Sequence, residues 1–121
     1  MTNSKELLVE MSVVCSKTDG FGFIARINSS DHNPPHIHIT STSGEKICKL
    51  QITKHKPKTK NDLIFLKVDS QELLNQISKN LVKWINTDTK YGLDRWLFLK
   101  ETWDSYHTND VLNEVLDDSE D

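Results

Sequence analysis

Only two cysteines, three prolines and four glycines occur among the 121 residues, and each scarcity excludes something. Cys15 and Cys48 stand far apart and form no paired metal-ligand spacing, so a disulfide scaffold and a cysteine-held zinc module are both excluded. They read as reduced, packed thiols. No apolar run approaches the roughly 20 residues that span a bilayer, and the start Met-Thr-Asn-Ser-Lys-Glu lacks the basic-then-apolar order of a signal peptide. The expected location is therefore cytoplasmic, with no membrane partner. A large charge of one sign is lacking too, the net being −3. That balance conceals an asymmetry: Lys46, Lys49, Lys54, Lys56, Lys58, Lys60 and Lys67 crowd one segment, whereas residues 101–121 carry acids and no Lys or Arg. One end would attract anions and the other repel them.

What is present suits one domain. The length buries a single core, and 36% hydrophobic with 27% charged residues is ordinary globular composition on its polar side. The expected organisation is one α+β domain over residues 1–116 with a disordered acidic tail at 117–121. Residues 7–15 are rich in β-branched and apolar types, and Asp19-Gly20 is a hairpin-turn signal before a second strand through Asn28. On that strand Phe21, Phe23, Ala25 and Ile27 share the core face, and Arg26 lies on the other. Ser29–Pro35 breaks the ladder, since proline lacks the backbone donor. A third strand then alternates, with Ile37 and Ile39 on one side and His36, His38 and Thr40 on the other. After the turn at Ser41–Gly44, a fourth strand turns Cys48, Leu50 and Ile52 inward, and a solvated lysine loop at 54–60 leads to a fifth strand ending at Val68.

Helical periodicity follows. Asp69 with Glu72 has capping-box spacing, and Leu73, Leu74, Ile77, Leu81, Trp84 and Ile85 form an apolar stripe. A second helix is expected from about Leu93 to Tyr106, with Leu93, Trp96, Leu97, Lys100 and Trp103 on one side, and Val111–Leu116 suggests one or two further turns. The predicted fold is thus an antiparallel sheet of about five strands with two C-terminal helices packed on one face.

The chemistry concentrates in Asp31-His-Asn-Pro-Pro-His-Ile-His38. Residues i and i+2 of a strand lie on one face roughly 6.6 Å apart, so His36 and His38 can tilt onto one ion with bonds of roughly 2.1 Å. His32 is the expected third ligand across the Pro-Pro corner, and Asp31 or Glu45 is available to supply an oxygen or orient an imidazole. Three protein ligands with an open position describe a hydrolytic site, whose cofactor would be a divalent metal such as zinc. Metal-free acid/base or anion-binding work by these histidines, and a structural or pH-sensing cluster, are also compatible with the spacing.

The stretch from Asp31 to Ile39, between an aromatic-rich strand and later helices with leucine and tryptophan, resembles a bacterial and phage domain-of-unknown-function family, number forty-one-sixty. Its hallmark is a His-x-Pro-Pro-His-x-His core, matched here by His32, Pro34, Pro35, His36 and His38, with Trp84 or Trp103 standing for the helical tryptophan. The likeness spans roughly residues 20–106 and implies a compact α+β domain in a toxin–antitoxin-like, defence or mobile-element setting beside a protein partner encoded nearby. The lysine loop and the acidic extension depart from the pattern. Histidine-triad hydrolases share the Pro-His-Ile-His stretch, but Thr40 stands where their third histidine belongs. Intradiol dioxygenases need tyrosine ligands from a much larger fold, and Tyr91 and Tyr106 fall in the helical half.

Two further features bear on ligands. Lys54 and Lys56, with their alternate neighbours, present charge suited to phosphate, yet no aromatic is interleaved for base stacking, so nucleic acid is the weaker expectation. Arg26 adds a fixed positive charge for an anionic small molecule if its face is the one that carries His36 and His38. The alternative to an accessory protein with a histidine-built site is a non-enzymatic binding module, recognising a protein or sequestering an anionic metabolite or nucleotide.

Overall fold

Apolar alternation folds the first half of the chain into a meander, because strands joined by short turns pair with their sequence neighbours. The computed structural model describes the backbone of residues 11–120 and the side chains of residues 12–107. Five strands, β1 (Met11–Cys15), β2 (Ile24–Asn28), β3 (His36–Thr40), β4 (Lys46–Gln51) and β5 (Phe65–Val68), form one antiparallel sheet in sequence order. Helices α1 (Gln71–Ile85) and α2 (Arg95–Glu120) follow. The fold is the expected α+β arrangement. Residues 7–10 of the first predicted strand, and the side chains of the 111–116 pattern, lie outside the described residues.

One face of the sheet is the core. Phe23, Ala25, Ile27, Ile37, Ile39 and Leu50 are shut off from solvent, and Leu81, Trp84 and Ile85 of α1 with Trp96 and Leu99 of α2 close over them. Trp84 meets Phe23 edge-on at 5.5 Å, a favoured aromatic geometry. Each such side chain contributes about 1.5–3 kcal/mol by leaving water, so this layer carries most of the fold. At a bulge beside Thr40 the fourth strand takes in Ile47 as well as the expected Cys48. Both cysteines are free and buried, as their isolation in sequence suggests.

The opposite face has a different composition. Register pairs Val13 with Arg26, Arg26 with His38, His38 with Lys49 and Lys49 with Lys67, which sets one row across all five strands. Cations and an imidazole fill four of its five places.

The structure differs from the sequence reading in detail. Asp19-Gly20 makes no two-residue hairpin: residues 17–19 form a 3-10 turn, closed by Gly20 at φ +83°, which only glycine adopts without strain. Phe21 therefore precedes β2 and is half-buried. Asp69 does not cap α1, because its backbone N–H extends the sheet to Ile47 O at 2.8 Å; Ser70 Oγ caps instead, accepting from Leu73 N. Leu93 and Leu97 are about half exposed, at 52% and 53%, and α2 buries Trp96, Leu99 and Trp103. Asp94, by accepting from Leu97 N, starts that helix, which runs on without a break to Glu120.

The lysine loop is also less free than its composition implies. Pro57 is buried, Asn86 donates to its carbonyl at 2.9 Å, Trp96 Nε1 donates to Thr53 O at 2.8 Å, and Lys56 pairs with Asp94 at 2.6 Å. Backbone carbonyls accept much of this docking, so a pattern of apolar residues could not reveal it. No described helix is long and apolar enough to cross a membrane.

Candidate metal centre

Ile37 and Ile39 are anchored in the core, so the pleat of β3 turns His36 and His38 to the other face with their ring centroids 5.0 Å apart. The loop after β2 returns Asp31 to them. Its Oδ2 lies 2.6 Å from His38 Nε2 and 3.3 Å from His36 Nε2. Among the described residues, Asp31, His36 and His38 form the group suited to a metal ion, one ligand atom from each lying within 4.8 Å of the others. At bonds of roughly 2.1 Å a tetrahedral ion sets its ligands roughly 3.4 Å apart, so a shift of roughly 1 Å would seat one.

The orientation of the His36 ring follows from its partners. Nδ1 lies 2.9 Å from the carbonyl of Pro34, which only accepts, so Nδ1–H is the donor. Its Nε2 is buried without a hydrogen-bond partner, although Asp31 Oδ2 stands 3.3 Å away. A metal ion between the two would take up both atoms. A ring oriented through its other nitrogen by a backbone carbonyl is the usual support of a metal-binding histidine.

Helix α2 completes the wall. Trp103 packs on His36 at 5.4 Å, and His107, stacked on Trp103, brings Nε2 to the carbonyl of Asp31 at 2.7 Å and Nδ1 to that of Trp103 at 2.7 Å. Both contacts are to backbone carbonyls, one in each of the two elements the ring joins. His107 thus fixes the backbone from which Asp31 reaches the histidines.

The predicted site residues divide. His36 and His38 come together, and Asp31 takes the third place expected for His32, which is exposed and outside the group. Glu45 is exposed and accepts from Ser43 Oγ. Arg26 does share the histidine face: it is the register partner of His38, and its Nη1 donates to Thr40 Oγ1 at 3.4 Å. Lys54 lines a cleft of about 310 Å³ with Pro35, Lys100 and Trp103, and Lys56 is held by Asp94; neither joins the cluster. His107 was not among the predicted site residues, because its contact with Asp31 crosses 76 positions. Its spacing of four from Trp103 was the one available signal. Comparison with family models, with curated proteins and with solved structures finds no match to this chain.

Proposed function

We propose that the chain holds a divalent metal, zinc first, on Asp31, His36 and His38, and that this centre is the working part of a small accessory protein of prokaryotic or phage type. The observation that carries the reading is the convergence of His36 Nε2 and His38 Nε2 on Asp31 Oδ2, with the His36 nitrogen buried and making no hydrogen bond. Two imidazoles and one carboxylate leave a coordination position open, where a metal would activate water or accept an anionic ligand. The toxin–antitoxin-like or defence setting rests on the His-x-Pro-Pro-His-x-His motif alone. A binding module that sequesters an anionic metabolite or nucleotide is the second reading, favoured by Arg26 opposite His38.

Elemental analysis of the purified full-length protein tests the metal. Near-stoichiometric zinc or another divalent ion is expected, stripped by His36→Ala combined with His38→Ala. Protein that purifies bare and takes up no zinc, cobalt or nickel on titration would end the proposal.

A further inference from the structure

Arg26, His38, Lys49 and Lys67 stand in register on β2 to β5, and Lys46 stands opposite Thr40 on the same face. With neighbouring strands roughly 4.8 Å apart, the row from Arg26 to Lys67 extends roughly 14 Å. The carboxylates set against it are Asp31, engaged with His38, and Asp69, 3.3 Å from Lys67. Positive charge is thus in surplus on one rigid face of a chain whose net charge is −3. Like charges fixed together by a sheet repel, and a bound anion relieves that repulsion.

The face also has a receptacle. His38, Thr40, Lys46, Lys49, Lys67 and Asp69 line a cleft of about 200 Å³. Pockets for drug-sized ligands run from roughly 300 Å³ upward, so this cleft accommodates a single compact group. No Phe, Tyr or Trp lines it, and base stacking therefore lacks a platform. Ammonium groups around a small cleft match a phosphate group rather than the base or sugar attached to it.

We infer that the cleft beside His38 takes the phosphate group of a phosphate ester, held by Lys46, Lys49 and Lys67 with Arg26 across β3, next to the metal position. The inference deepens the metal reading and rests on it only for contact with the metal; the lysines attract phosphate with or without an ion. Recognition runs through charge, so the identity of the base is immaterial. The same chemistry has two sources, a free monoester and the backbone of a nucleic-acid strand, and salt dependence separates them.

The test titrates the full chain, zinc-loaded and chelator-treated, with thymidine monophosphate and with a short oligothymidylate over a range of salt. Both forms are expected to bind, the zinc-loaded form more tightly. Lys46→Gln with Lys67→Gln, two exposed positions, should weaken binding about tenfold and lower the slope of log affinity against log salt by about two. Lys49→Gln provides a second variant with the same expected direction. A steeper slope for the oligonucleotide identifies the strand backbone as the source, and equal slopes identify the monoester. The inference is overturned if neither probe binds either form, or if the lysine variants bind as the parent does. Lysine-dependent binding of the monophosphate by a protein that takes up no zinc would sink the metal reading and leave this one standing.

Discussion

The indole of Trp103 lies nearly parallel to the imidazole of His107, ring centroids 3.9 Å apart and planes 15° apart. The stack directs His107 Nε2 at the carbonyl of Asp31, so the second helix positions a loop that lies on the far side of the sequence. Outer-shell partners of this kind typically contribute ten- to a hundredfold to metal affinity, and His107→Ala should weaken zinc binding by about that factor. His107→Gln, whose amide still donates to a carbonyl, should restore most of it. Zinc titration beside thermal melting decides: affinity that merely tracks the melting temperature, with no rescue by glutamine, would assign His107 a structural role alone.

The third ligand distinguishes the structure from the sequence motif. Asp31→Asn keeps the shape of the side chain but removes the anionic charge, and is expected to weaken zinc binding severely, whereas His32→Ala should leave it within about twofold, as an exposed residue outside the group would. Calorimetric titration of both variants reads this directly. The reverse order would restore His32 to the centre.

Both thiols are inert in the folded state. Burial, reinforced by Asp19 near Cys15 and by Asp69 near Cys48, pushes each up to about 12. The thiolate is the nucleophile, and at about pH 8 it amounts to roughly one thiol in ten thousand. Native protein should therefore resist a thiol reagent that labels both cysteines after denaturation. Rapid labelling of either without unfolding would contradict the burial.

Asp94 links the lysine loop to the second helix, through Lys56 at 2.6 Å and Leu97 N at 3.0 Å. The Lys56 hydrogen bond, then that of Leu97 N, holds its carboxyl below the ordinary 3.8. A carboxyl lowered on folding stabilises the protein above its unfolded value, and that contribution is lost as pH falls through the lower, folded value. Asp94→Ala should cost about 1 kcal/mol at neutral pH through the lost cap, the exposed ion pair adding little. Melting curves should show the gap between parent and variant narrowing below the ordinary carboxyl range; a gap that widens on acidification would reverse the sign.

Much of the architecture was legible in the chain. Period-two alternation in Phe23–Ile27 and His36–Thr40, and period 3.6 in Leu74–Ile85, follow from the pleat and the helical turn, so the buried face of each element can be counted off. Two elements depart from the side-chain pattern because a backbone group finds a partner outside its own element. Asp69 was diverted from capping by the carbonyl of Ile47, and the lysine loop was docked through the carbonyls of Thr53 and Pro57. Side-chain patterns carry no record of such bonds.

The candidate centre divides along the same line. By itself the sequence determined that His36 and His38 share a face, because residues two apart on a strand have no alternative once Ile37 and Ile39 are buried. That Asp31 rather than His32 joins them, that Arg26, Lys49 and Lys67 align with His38, and that His107 steadies the loop were decided only by tertiary structure. Strand register and helix docking bring together groups far apart in the chain, and those distances are set by the packing of the whole core rather than by any local spacing.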